Sequence, residues 1–234
     1  MIEKNLEALS SSIREAARNC GRDPGEIKLV AVSKRFPVEA MQKARAAGQV
    51  LFGENYLQEA VEKRAILGED IELHFIGNLQ SNKAKVCSEC CDMVETVDRY
   101  KIAAALNKHC VRSGRILNIL VQVNIGRDEN KSGVIPDETE TLLARIQDLA
   151  NLRVRGLMTM PPFTADPEDA RPFFRDLRLI SEDMRDRGLL GNHGPIELSM
   201  GMTHDYVVAI EEGATYIRIG TAIFGQRPPS TLQH

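Results

Sequence analysis

Apolar residues recur along this chain with two periods, and the periods take turns. The first segment places Ile2, Leu6, Leu9, Ile13 and Ala16 at spacings of three and four, one apolar stripe of a helix over residues 1–20. Gly21-Arg-Asp-Pro-Gly25 then breaks the pattern. From Lys28 onward, short strand-like runs at 28–34, 50–52, 72–76, 93–97, 116–123, 154–160, 196–200 and 216–221 alternate with helical stretches. The helices are predicted at 37–47, 56–67, 80–86, 100–111, 136–150, 166–187 and 203–210, with Asp98, Asp166 and Thr203 as capping residues and Gly48 and Gly188 as stops. Residues 124–133 form a long polar loop.

Strand and helix in strict alternation predict parallel βα units. Eight such units closing on themselves make a single α/β domain, a (β/α)8 TIM barrel over residues 28–225 of the 1–234 chain, with the extra N-terminal helix covering the bottom or side. A doubly wound open sheet is the alternative. It is weakened because no GxGxxG follows the first strand and no residues remain for a second domain.

Composition narrows the partners. The net charge of -3 argues against nucleic acid or an anionic membrane, and 43% hydrophobic with 27% charged residues is ordinary for a globular protein. No apolar run reaches the roughly 18 residues of a membrane span, and Met1-Ile-Glu-Lys-Asn-Leu-Glu7 lacks a signal peptide's apolar centre, so a cytoplasmic location is expected. Five cysteines fit reduced thiols there. Cys87-Ser-Glu-Cys90-Cys91 contains a CxxC, but no second CxxC supplies a zinc tetrad, and the three read as small thiols buried at a helix end.

The candidate chemistry starts at Lys34. Val30 and Val32 alternate with Ala31 and Ser33, so Lys34 shares the valine face and stands at a strand's carboxyl end, the edge where parallel α/β folds bind ligands. A lysine snorkelling to solvent is the other reading. Two glycine-bearing segments, Ser199-Met-Gly-Met-Thr203 and Arg218-Ile-Gly-Thr-Ala222, stand where barrels commonly hold phosphate. Gly201 and Gly220 let the backbone approach, and the hydroxyls of Ser199 and Thr221 can donate; glycines that merely end strands are the alternative. Tyr216, Arg218 and Gly220 share the inward face of the last strand, which gives Arg218 either a ligand or a carboxylate such as Glu197 as partner. The same alternation turns His74, Asn124 and Ser199 toward the mouth. Closure makes Lys34 a neighbour of the phosphate cup, so a phosphorylated carbonyl compound fits between them as a Schiff base, either pyridoxal phosphate or a sugar-phosphate intermediate. Spacing alone does not choose.

Ala31-Val-Ser-Lys34, Phe52-Gly-Glu-Asn-Tyr56, His74-Phe-Ile-Gly-Asn-Leu-Gln-Ser-Asn-Lys83, Gly156-Leu-Met-Thr-Met160, Leu198-Ser-Met-Gly-Met202 with Asp205, and Arg218-Ile-Gly-Thr-Ala-Ile-Phe-Gly225 together resemble the pyridoxal phosphate homeostasis proteins. The resemblance implies a monomeric or weakly associating barrel, similar to the N-terminal domain of alanine racemase, carrying pyridoxal 5'-phosphate as an aldimine on Lys34. It assigns the phosphate to Ser199, Gly201, Gly220 and Thr221, sets Asn55 near the cofactor, faces Arg218 to the pyridine nitrogen and adds His74 and Met158 as pocket lining. The chain stops where the racemase's second domain, with its acid/base tyrosine, would begin. Tyr56 is the only tyrosine in a βα loop of the predicted mouth, and nothing sets it opposite Lys34. A fixed cation at the ring nitrogen also disfavours the electron-sink form of the cofactor. The expectation is a carrier or regulator of pyridoxal phosphate for dependent apo-enzymes, without strong catalysis. A pyridoxal phosphate-dependent racemase or decarboxylase is the alternative, and an aldolase using Lys34 alone a more distant one.

Overall fold

The computed structural model describes residues 1–226; the last positions of the expected domain lie outside the described residues. Among these, eight parallel strands close in chain order into one barrel: β1 (Lys28–Val32), β2 (Leu51–Glu54), β3 (Glu72–Phe75), β4 (Met93–Val97), β5 (Leu117–Gln122), β6 (Leu152–Met158), β7 (Glu197–Ser199) and β8 (Tyr216–Ile219). Around them stand α1 (Ile2–Asn19), α2 (Val38–Ala46), α3 (Leu57–Leu67), α4 (Ala84–Cys90), α5 (Tyr100–Ser113), α6 (Thr139–Ile146), α7 (Arg171–Asp186), α8 (Tyr206–Glu211) and α9 (Thr221–Phe224). The expected (β/α)8 barrel with a leading helix is the observed fold. Pairing of β8 with β1, from Lys28↔Tyr216 to Ala31↔Ile219, excludes the open sheet.

Strand alternation separates two cores. Outward residues such as Ala31, Phe52, Leu73, Ile119, Leu157, Ile217 and Ile219 join the helices in the main apolar cluster. Inward residues Val30, Leu51, Met93, Leu120, Met158 and Tyr216 form a second, smaller one. Below that small cluster, at the amino ends of the strands, Glu197 binds Lys28 Nζ at 3.2 Å and Arg155 at 3.4 Å and accepts from the Tyr216 hydroxyl at 3.1 Å.

The leading helix packs on the barrel's side. Leu6, Leu9, Ile13, Ala16 and Ala17 are its buried stripe, facing α2, α8 and α9. Polar contacts fix its pitch: Asn5 Nδ2 donates to Ile223 O at 2.9 Å, Ser12 Oγ meets the Tyr206 hydroxyl at 2.8 Å, and Arg22 beyond the helix donates to Ile210 O and Ala214 O at 2.8 and 2.7 Å.

Several helix ends differ from expectation, each for a local reason. Asp98 does not cap α5; it pairs with Arg99 at 2.6 Å, and Arg99 is the residue before the helix. Thr203 does not open α8, because Asp205 accepts from Met202 N at 2.6 Å and holds the turn open until Tyr206. The helix after Pro136 begins as a 3-10 turn and ends at Ile146, and α4 follows a 3-10 turn and runs on to Cys90. Asp166 does act as expected, accepting from Glu168 N at 3.0 Å.

Cys87, Cys90 and Cys91 are free, buried thiols at the end of α4, with the Cys90 and Cys91 sulfurs 3.4 Å apart. The hydrogen bond to Cys91 and then burial push the Cys90 thiol well up, and Cys87 does the same to Cys91, so neither forms a thiolate readily. Among the described residues no group of three His, Cys, Asp or Glu side chains could hold a metal ion, and no helix is long and apolar enough to cross a membrane.

Because α1 contributes a buried stripe, Ile13→Ala should cost about 2–5 kcal/mol of stability, read as a lower urea midpoint of the cofactor-free protein. An unchanged midpoint would show that the helix lies on the barrel without being part of its core.

Candidate functional site

The chain turns sharply just after β1, and the turn is held by buried charges. Arg35 adopts φ 65°, a left-handed conformation that costs a residue with a side chain about 1–2 kcal/mol. Its neighbours carry that cost. Arg35 N donates to Glu59 Oε2 at 2.8 Å, Ser33 Oγ donates to Glu54 Oε1 at 2.6 Å, and Lys63 Nζ donates to Ser33 O at 2.9 Å. Lys63 also pairs with Glu54 at 2.6 Å and Glu59 at 2.9 Å. Lys34 therefore stands, half-buried, between two residues whose backbones are anchored to β2 and α3. Burial pushes the Glu54 carboxyl up, and Lys63 pulls it back only in part. Neither Glu54 nor Lys63 was expected to matter. The signal was there: Lys63 shares the buried stripe of α3 with Ala60 and Leu67, where an apolar residue is the rule.

Across the closure, the glycines bring backbone to Lys34. Just past the register Ala31↔Ile219, Gly220 lies against Val32, and Thr221 follows it at the start of α9. A Cβ on Gly220 would lie 3.0 Å from Val32 O. Gly201, at φ 91°, accepts from Arg218 N at 3.0 Å, and a Cβ there would lie 2.6 Å from the Ala209 Cβ. Thr221 is exposed at the start of α9. On the other flank Asn55 follows β2, and its Oδ1 is buried without a hydrogen-bond partner among the described residues. Gly77 packs so tightly there that a Cβ would lie 2.1 Å from Asn55 O. Lys34, Asn55, Gly201, Gly220 and Thr221 thus converge on the mouth.

His74, Met158, Ser199 and Arg218 lie one layer deeper, inside the barrel, because they are inward residues within the strands and not beyond their ends. Met158 belongs to the small apolar cluster. The other three join in a network with an unforeseen member, Glu95 of β4. His74 Nδ1 lies 2.6 Å from Glu95 Oε1 and its Nε2 lies 3.0 Å from Glu72 Oε1. Ser199 Oγ donates to Glu95 Oε2 at 2.5 Å and accepts from Arg218 at 2.6 Å; Arg218 also donates to Thr159 O at 2.8 Å. The Ser199 hydroxyl, expected in the phosphate cup, is spent on this network. Arg218 faces inward as expected but is not paired with Glu197, which lies a layer lower. Asn124 does not face the mouth either: its side chain folds the 124–133 loop, donating to Asp128 O at 2.8 Å and accepting from Asp128 N at 3.2 Å.

The charges in this layer support one another. Burial disfavours the His74 imidazolium, yet Glu72 and Glu95 outweigh it and push the ring to about 9. Burial likewise disfavours the Glu95 carboxylate, and His74, Arg218 and Ser199 hold it below the usual range. Arg218 is lowered by burial and supported by Glu95 and Asp205; a guanidinium stays charged through such shifts. Beside this layer a cavity of about 410 Å³ opens toward solvent, lined among others by Gly77, Thr96, Gln122, Lys131, Met202 and Asp205.

A closed barrel with a lysine at the end of its first strand and glycine-rich ends on its last two defines the class of the alanine racemase N-terminal domain, whose family model matches residues 5–228. Within that class the chain belongs to the family of pyridoxal phosphate homeostasis proteins: it is 42% identical to the Haemophilus influenzae protein of that name over 100% of this chain and 99% of that one. Among solved structures it is similar to PipY of Synechococcus elongatus with PLP bound, at 33% identity and a TM-score of 0.84, covering 96% of this chain and 100% of PipY. Alanine racemase from Corynebacterium glutamicum shares the fold alone, at 18% identity and a TM-score of 0.69, with 98% of this chain matched to 63% of the racemase.

Lys63→Met tests the anchoring of the turn. Removing the cation leaves Glu54 buried and uncompensated, so the variant should lose about 3–5 kcal/mol at neutral pH. The sign with pH follows from the raised Glu54 carboxyl. The protonated acid is the form that the folded chain prefers, so the loss should shrink as pH falls through that carboxyl's raised pKa. Urea unfolding of variant and parent at several pH values reads it, and a pH-independent difference would count against the assignment.

Proposed function

We propose that this chain holds pyridoxal 5'-phosphate at the barrel mouth through a covalent bond to Lys34, and that it carries or regulates the intracellular supply of the cofactor without strong catalysis of its own. The observation that carries the reading is the meeting of Lys34, on its anchored turn, with the glycine-lined ends of β7 and β8. The residues fit the group. Pyridoxal phosphate offers an aldehyde, a phosphate, a phenolic oxygen and a ring nitrogen; the mouth offers an amine, two close-approach glycines with the Thr221 hydroxyl and the Asn55 side chain, with the Arg218 cation beneath it. PipY, similar over its whole length, is a PLP-bound relative and supports the fit.

When bound, the cofactor supplies a carbonyl that amines attack and, with its ring nitrogen protonated, a sink for electrons. The chain's own residues favour the first property and oppose the second. Lys34 supplies the amine from a fixed turn. Gly201 and Gly220 leave room for an oxyanion against backbone, and Thr221 adds a donor. Arg218, a guanidinium with fixed partners beneath the mouth, disfavours a proton on a neighbouring ring nitrogen. His74, Met158 and Ser199 act from below, by packing and by holding Arg218. Among the described residues Tyr56 does not act as a second proton-transfer group opposite Lys34: its hydroxyl accepts from Arg35 at 3.2 Å and the residue is 45% exposed. A racemase or decarboxylase would need such a group. In this reading the protein is cytoplasmic and monomeric, and dependent apo-enzymes receive the cofactor.

The purified parent should show a visible band with pyridoxal phosphate, and borohydride followed by peptide mapping should place the reduced adduct on Lys34. Lys34→Ala should lose the band. Adduct on Lys83 or Lys131 in the parent would refute the assignment. Thr221→Val should weaken binding of the phosphate by about tenfold, the worth of one hydrogen bond to a charged group, and leave binding of pyridoxal unchanged.

A further inference from the structure

The interior of this barrel contains a continuous line of polar contacts from one end to the other. It begins at Glu72, the first residue of β3, whose side chain is 48% exposed at the bottom of the barrel. It passes through His74, Glu95 and Ser199, and it ends at Arg218, which reaches Thr159 O at the top of β6. The donors on either side of Glu95 point toward it. Protonated His74 donates to Glu95 from one side; from the other, Arg218 donates to Ser199 Oγ and Ser199 donates to Glu95. Glu95 is the acceptor on which both halves converge. Its carboxylate is fully buried, as are the side chains it meets.

We propose that Glu95 is the positioning residue for Arg218: through Ser199 it fixes where the guanidinium stands beneath the cofactor, and through His74 it ties the charge at that point to the solvent-facing carboxylate of Glu72. The inference rests on the cofactor site described above and goes beyond it, since Glu95 touches neither Lys34's turn nor the glycine-lined cleft. Burying a carboxylate this deep is costly unless each oxygen is satisfied. Here each oxygen has a donor, and the two donors lead to a cation on either side. A residue that only neutralised the interior could pair with Arg218 directly. Glu95 instead acts through a hydroxyl, a contact whose geometry is fixed by three strands at once.

Glu95→Gln keeps the shape and removes one acceptor. Its amide must then turn N–H groups either toward His74, which forces that ring neutral, or toward Ser199, which breaks the donor order leading to Arg218. His74 is faced by Glu72 on its own strand, by Glu95 on β4 and edge-on by the Tyr216 ring on β8 at 5.3 Å. Lys28 on β1 acts on it by charge through Glu72, Arg218 on β8 shares its carboxylate Glu95, and Glu197 on β7 is linked to it through Lys28.

The test uses full-length protein and three readouts. In the cofactor-free parent, side-chain NMR should find the His74 midpoint near 9, and in Glu95→Gln it should fall by about two pH units, toward the ordinary histidine value. The dissociation constant for pyridoxal phosphate should rise roughly ten- to a hundredfold, and the pH midpoint of the bound cofactor's visible band should move. Glu197→Gln is the control: it breaks the lower cluster, so it should lower the melting temperature but leave affinity within about twofold. A folded Glu95→Gln protein with parental affinity and an unmoved band midpoint would overturn the proposal and leave Glu95 a purely structural acid. Should that variant fail to fold, Ser199→Ala removes the last link without removing a charge. The same loss of affinity supports the proposal there, and parental affinity overturns it. If the parent itself fails to bind the cofactor on Lys34, the reading of the site fails instead; the His74 midpoint, read without cofactor, distinguishes the two failures.

Discussion

Everything at the mouth depends on β8 pairing with β1. In that pairing Val30 meets Arg218 and Ala31 meets Ile219, so the residues just past the two strand ends, Lys34 on one side and Gly220 and Thr221 on the other, are brought together although nearly the whole chain separates them. A shift of one residue would turn Arg218 out among the helices and the isoleucines in. Closure also explains the glycines. Where two strand ends converge on a neighbouring turn there is no room for a Cβ, and Gly220 against Val32 is such a place.

Two sets of buried ions then divide the work. Glu54, Lys63 and Glu59 lie behind the Lys34 turn and hold its backbone, including the left-handed Arg35. Glu95, His74 and Arg218 lie beneath the cleft and set its charge. Each set contains carboxylates whose desolvation exceeds what one partner returns, so each is a network and not a pair. The common consequence is rigidity in different coordinates: the first fixes where the amine starts, the second fixes the field it works in.

The alternation in the sequence made the barrel legible, along with the side on which Lys34 and Arg218 would stand, because period two is a property of each strand by itself. The partners of Arg218 were not legible in the same way. Glu95 and Glu197 both alternate inward, and only the height of each strand in the barrel tells that Glu95 is level with Arg218 and Glu197 is below it. That height depends on the registers of β4 and β7, and β4 carries an irregularity between Val94 and Val97. Ser199 shows the same limit. A hydroxyl at a strand's carboxyl end reads as a phosphate donor, but as the last residue within β7 it points into the barrel, where a carboxylate already occupies it. Asp205 in place of Thr203 was a matter of local competition, since the carboxylate takes the Met202 N–H and delays the helix.

The interior of an ordinary barrel of this kind is stacked with branched hydrocarbon. This one keeps a single apolar band, with ions and hydroxyls above and below it. Unfolding therefore exposes less hydrocarbon and more polar surface from inside the sheet. Apolar exposure raises the heat capacity by about 0.45 cal/K/mol/Å² and polar exposure lowers it by about 0.26. A smaller heat-capacity change makes the curve of stability against temperature flatter than for a hydrocarbon-filled barrel of the same length and the same maximum stability.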